Sequence, residues 1–157
     1  MHNPLTIFPL ILRVRRPSRQ QDMKAVSCPS WIRKGYEAMT FFGHIITHSK
    51  DEAEHINSHF DALKQHEMIH LYQARSTRDS WMCFYWKYFR FWLQGCRYRK
   101  KLPNAGYRLN PFEMEAYMHM YDKDYLKSGG KAEGWKKYAA MTPAQRLEEY
   151  IRVYRHR

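Results

Sequence analysis

His66-Glu67-Met68-Ile69-His70 is the stretch on which the reading of this chain turns. On a helix, residues four apart project from one face a turn apart, so His66 and His70 can chelate one metal ion between their imidazoles. Glu67 stands beside the first histidine, where a carboxylate can take the proton of a zinc-bound water whose pKa the metal lowers toward ~7. The chain holds nine histidines, and random order would produce HExxH in roughly 3% of shufflings, so the context has to carry the rest. That context is helical, with Met68, Ile69 and Leu71 as apolar flanks. His44, His48, His55 and His59 fall outside the pattern and read as surface or local packing positions.

Working outward, residues 51–74 are good helix formers without Gly or Pro, and Ser49 with Glu52 three positions later has the form of a capping box. The segment reads as one helix or as two with a break near Asn57-Ser58. Before it, Ala38 to Thr47 is β-branched and aromatic and reads as a strand with one or two partners. After it, Trp81 to Leu93 reads as a core helix packed behind the motif helix. Its polar positions, Ser80, Lys87, Arg90 and Gln94, share one narrow stripe, with Lys87 and Arg90 expected to be exposed. The alternative for this ring-rich helix is contact with a membrane surface, since Arg97, Arg99, Lys100 and Lys101 follow at once.

Turn formers and basic residues fill Gly95 to Arg108. Asn110 and Pro111 then look like the cap and first residue of a helix reaching about Lys127 and ended by Ser128-Gly129-Gly130. A short helix around Trp135 follows. Thr142-Pro143-Ala144-Gln145 starts a last helix with Leu147, Tyr150, Ile151 and Tyr154 on one face.

The two histidines need a third ligand. The longer motif HExxHxxGxxH is excluded, because Gln73 and Ser76 stand where it requires Gly and His. Glu113 and Glu115, in the first turns of the helix after Asn110, are the candidates. Glu113 also has a plain alternative as the closing residue of a capping box, while Glu115 could form a second pair with His119, or both could simply lie on a solvated helix face. Gln73, seven residues after His66, points toward the same side of the motif helix and can bond to a ligand.

HEMIH with Gln73, an aromatic-rich helix, and Tyr107-Arg108 followed by NPFEMEAY together resemble a group of small bacterial HExxH proteins regarded as minimal gluzincin-like metallopeptidases. The resemblance covers about Thr40 to Tyr125. Glu113-Met114-Glu115-Ala116-Tyr117 is also similar to the ExxAD pattern of CAAX-prenyl-protease-type zincins, whose first Glu binds zinc, and that alignment selects Glu113. The chain departs from the pattern at Tyr117, which replaces an aspartate and cannot orient a ligand histidine as a carboxylate does. Tyr117 could donate to a developing oxyanion or simply pack in the core.

At 157 residues the chain fits one domain able to bury a core without disulfides. Hydrophobic residues make up 44% and aromatics 16%, which excludes a disordered or fibrous chain. Cys28, Cys83 and Cys96 are odd in number and show no CxxC spacing, against both a disulfide framework and a thiolate zinc site. The net charge of +12 favours anionic partners, a membrane surface ahead of nucleic acid. The apolar run Leu5 to Leu12 precedes its arginines rather than following them, unlike a secretory signal, and the cysteine pattern points to a reducing cytoplasm, with peripheral membrane contact as the alternative.

The expected architecture is α+β: a compact zincin-like domain, mostly helical, with a small sheet before the HExxH helix. Residues 1–25 would be a flexible extension and 26–157 the domain. His66, His70 and Glu113 would bind Zn2+, with Glu67 as general base in hydrolysis of a peptide or protein substrate. The alternative is a zinc-binding domain without catalysis, whose basic surface engages a membrane, nucleic acid or a protein partner.

Overall fold

The computed structural model describes residues 24–32, 38–59, 61–127 and 132–154. The fold is α+β, mostly helical, with one three-stranded sheet. The strands β1 (Ala25–Ser27), β2 (Ala38–Phe41) and β3 (His44–Thr47) lie in the order β1-β3-β2, with β3 parallel to β1 and antiparallel to β2. The segment read as one strand is therefore a hairpin. Phe42 and Gly43 both take positive φ, 45° and 88°, as a tight two-residue turn between right-twisting strands requires. Met39 then faces Ile46 across the ladder.

Most of the expected N-terminal extension lies outside the described residues, but Ala25 at its end belongs to the sheet. Its N–H donates to Asn57 Oδ1 at 2.8 Å and its carbonyl accepts from Asn57 Nδ2 at 3.1 Å. A side chain thereby satisfies the backbone groups of a sheet edge. Asn57 belongs to α1 (Lys50–Ser58), whose start is the Ser49–Glu52 capping box. Asp61 caps the next helix, α2 (Ala62–Ser76), by accepting from Lys64 N–H at 2.8 Å. The expected break falls at His59, which is extended.

The helix α2 is buried along almost its whole length, from Lys64 to Ala74. It lies between β2 on one side and α3 (Trp81–Cys96) and α5 (Pro111–His119) on the others. Ile69, Met68, Ile45, Phe84, Phe112 and Trp135 form the centre of the core around it. The Pro111 helix is shorter than the sequence predicts. It stops at His119 because the chain turns there, and the carbonyl of Asp122 accepts from Gln65 Nε2 of α2 at 2.8 Å. The predicted end at residues 128–130 lies outside the described residues.

Lys87 and Arg90 of α3 are exposed, as expected, with Lys87 Nζ over the Trp135 ring, while Gln94 Oε1 accepts from Arg146 at 2.7 Å. The departure from expectation is that the exposed side of this helix also carries Met82, Trp86, Phe89 and Leu93. Trp81, Phe84, Tyr85, Tyr88 and Phe91 pack inward.

Gly95 belongs to the last turn of α3, and the chain returns as a short helix α4 (Ala105–Arg108) packed against it. A Cβ at Gly95 would sit 2.6 Å from the Ala105 carbonyl oxygen. That neighbour is backbone and cannot swing aside, so Gly95→Ala is expected to destabilise the fold by about 1–3 kcal/mol, measured by urea denaturation. Wild-type stability in this variant would show that the crossing has slack.

Two further helices, α6 (Trp135–Ala139) and α7 (Pro143–Tyr154), close the molecule. Thr142 and Gln145 form the expected cap of α7, each bonding the other's backbone N–H. Arg146, not singled out by the sequence, is buried and donates to the Leu109 carbonyl at 2.8 Å. No helix among the described residues is long and apolar enough to cross a membrane.

Candidate metal centre

His66 and His70 project from α2 toward α5, where Glu113 meets them. Each pair in this group is close, Glu113 meeting the two histidines through different carboxylate oxygens, and one ligand atom from each residue lies within 4.8 Å of the others. His66 Nε2 is 3.2 Å from His70 Nε2 and 3.3 Å from Glu113 Oε2, and His70 Nε2 is 3.4 Å from Glu113 Oε1. Ligand atoms around one tetrahedral ion with bonds of about 2 Å stand about 3.3 Å apart, so these residues could hold a metal ion. All three are buried, and Glu113 Oε2 and His66 Nδ1 find no hydrogen-bond partner among the described residues. A buried carboxylate oxygen without a donor is costly, and a cation between the ligands removes that cost.

The electrostatics of the metal-free protein follow from the same packing. Burial opposes a charge on His70, but the adjacent Glu113 carboxylate outweighs it and lifts the imidazole to about 9. Burial also pushes Glu113 up, while His70 and His66 overcome this and hold its carboxyl well below the usual range. The carboxylate thus stays available as an anionic ligand, and an ion arriving at His70 must displace a proton.

Gln73 fixes which nitrogen of His70 faces the centre. Its Nε2 donates to the Phe112 carbonyl at 2.9 Å and to Glu115 Oε2 at 2.7 Å, which leaves Oε1 as the acceptor for His70 Nδ1 at 2.8 Å. With Nδ1 held as the hydrogen-bearing nitrogen, Nε2 is the one that gives up its proton to bind a metal. His66 has no such anchor. The Tyr117 ring packs against it instead, with centroids 4.6 Å apart and planes at 67°.

Glu115 does not join the ligands, nor does it lie on a solvated face. It is fully buried and accepts from Gly134 N–H at 2.7 Å, Trp135 N–H at 3.0 Å, the Tyr125 hydroxyl at 2.5 Å and Gln73. It therefore ties α5 to the start of α6 and anchors Gln73. Its suggested partner His119 stacks on Tyr125, with ring centroids 3.7 Å apart. Glu113, for its part, does not close the helix cap. The Asn110 side chain accepts from Phe112 N–H, while Glu113 Oε1 accepts from the Tyr88 hydroxyl of α3 at 2.7 Å.

Glu67 is buried beside His66, and its carboxylate is held from the sheet. The Thr40 hydroxyl in β2 lies 2.6 Å from Glu67 Oε2 and 3.0 Å from the Glu67 carbonyl. Tyr107 and Tyr117 hydroxyls lie 3.1 Å apart. Burial and the Glu113 charge push both phenols up, so both hydroxyls keep their protons. The sequence offered no local signal for Thr40 or Tyr88, whose contacts form across 27 and 25 residues of chain.

Comparison with protein-family profiles, with curated proteins and with solved structures finds no match for this chain. The resemblance to small HExxH proteins rests on the motif residues alone.

Proposed function

We propose that the chain is a zinc-dependent hydrolase of peptide or amide bonds with a minimal zincin-like architecture. One observation carries this reading: His66, His70 and Glu113 come together as a buried ligand group, while the Glu67 carboxylate, near enough for its charge to act on His70, is held by Thr40 and is not one of the three. Structural zinc sites are closed by four protein ligands, whereas catalytic ones use three. Zinc at this position would polarise the scissile carbonyl and acidify the attacking water. With zinc bound, Glu67 would accept a proton from the attacking water on a carboxylate oxygen and deliver it to the leaving nitrogen as the C–N bond breaks. Water's oxygen ends on the acyl product and its hydrogens are shared between acid and amine. Thr40 keeps the carboxylate aimed, and Tyr117, whose ring packs on His66 and whose protonated hydroxyl meets that of Tyr107, is the candidate donor to the developing oxyanion.

A second reading draws on the burial of all four side chains. It makes the centre a zinc-binding strut between α2 and α5 without catalysis. The experiment is metal analysis of the purified protein followed by a peptide-library screen with and without chelator. About one zinc per chain and chelator-sensitive cleavage are the expected results. Protein that neither carries nor takes up zinc refutes both readings, and stoichiometric zinc without cleavage favours the strut.

A further inference from the structure

The outer face of α3 is out of keeping with a surface bathed in water. Met82, Trp86, Phe89 and Leu93 recur at helical spacing and form one line, with Trp92 beside it. Trp86 is 68% exposed and Met82 58%, and the Phe89 and Trp92 rings stack at 6.1 Å. At ~1.5 Å rise per residue the line is about 17 Å long. Directly past its C-terminal end stand Arg97, Arg99, Lys100 and Lys101, all exposed. Arg90 is exposed on the helix itself.

We propose that this face docks on an anionic lipid bilayer, with α3 lying in the headgroup region and the cluster at residues 97–101 binding acidic headgroups. Charge complementarity selects this occupant. A basic cluster continuous with a Trp- and Phe-rich helical face, on a chain of net charge +12, fits a surface that is apolar within and negative at its boundary. A second copy fits poorly, because two chains of that charge repel. A single helical face about 17 Å by about 10 Å also falls well short of the ~800 Å² per partner of a stable interface. Nucleic acid would account for the bases but not for an unbroken apolar line, since stacking platforms lie among their bases. The proposal does not depend on hydrolysis by the metal centre.

The test is flotation of the full chain with vesicles of phosphatidylcholine alone and of phosphatidylcholine mixed with phosphatidylserine, with tryptophan emission recorded. Binding to the anionic vesicles, a blue shift and steep weakening by salt are expected. Trp86→Ser with Phe89→Ser, which leaves the charge unchanged, should weaken binding about tenfold or more. Arg99→Gln, Lys100→Gln and Lys101→Gln together should do the same while leaving the apolar face intact. These positions are exposed, and circular dichroism would verify that each variant folds. No binding to anionic vesicles at low salt overturns the proposal. So does unchanged binding by the Trp86/Phe89 variant, tighter binding to a mixed oligonucleotide than to vesicles, or a dimer in sedimentation that the same variant dissolves.

Discussion

Glu67→Gln is expected to lower hydrolysis by about 10² to 10⁴-fold while leaving zinc content and thermal stability nearly unchanged. The two effects separate because Glu67 neighbours a ligand without being one. Its carboxylate faces Thr40 at 2.6 Å, and a Gln carbonyl can accept the same hydrogen bond, so the shape of the site survives. Only the capacity to take a proton is removed. His66→Ala or His70→Ala makes the contrast, since each should lose zinc and the stability that bound metal contributes. A zinc-loaded Glu67→Gln protein that cleaves as fast as wild type would refute the proposed mechanism while leaving the metal site intact.

The second large effect divides two glutamates that stand two residues apart. Glu113→Gln should weaken zinc binding by more than about 100-fold, because it removes the anionic ligand from a group whose other members are neutral imidazoles when metal is bound. The fold should persist, since the hydroxyl of Tyr88 can still donate to the amide oxygen. Glu115→Gln should do the reverse. An amide NH2 at that position would confront donors it cannot satisfy, because Gly134 N–H, Trp135 N–H, the Tyr125 hydroxyl and Gln73 all point hydrogens at the carboxylate. The cost of a buried donor clash is about 2–4 kcal/mol, or about 10 °C in melting temperature. Zinc titration and thermal melts of the two variants would show the division. If Glu115→Gln lost metal and kept its stability, the ligand would have to be reassigned by two residues.

Local signals carried much of this architecture. HExxH on a helix, the Ser49–Glu52 box, the Asn110 cap and the Thr142–Gln145 cap depend on neighbours within one turn, and all were legible. The third ligand was harder to place, because Glu113 and Glu115 look alike to any local rule. What separates them is far away in the chain: Glu115 is claimed by backbone N–H groups at residues 134 and 135, while Glu113 is left to face α2. Thr40 was unreadable for the same reason. The hairpin was missed because Phe42 in a left-handed conformation leaves no compositional mark beyond one glycine. The facing of α3 could not be read from periodicity, since a helix apolar on nearly every side has no dry face to choose. Of its polar residues, Lys87 lies over Trp135 and Gln94 bonds to Arg146, while Arg90 stays exposed.

One consequence of α3 concerns its length. The same helix presents Tyr88 to Glu113 and Phe84 to His70 on one side, and Trp86 and Phe89 to the exterior on the other. Both ends are clamped: Ser80 caps the start by accepting from Cys83 N–H, and Gly95 is pressed against Ala105 at the finish. Each inserted or deleted residue turns the rest of a helix by about 100°. A single insertion between the clamps would bring Lys87 or Phe89 to the place where Tyr88 meets the glutamate and carry Tyr88 away from it. The segment is thus open to exchange of side chains at many positions, yet closed to any change in the count of residues between residues 80 and 95.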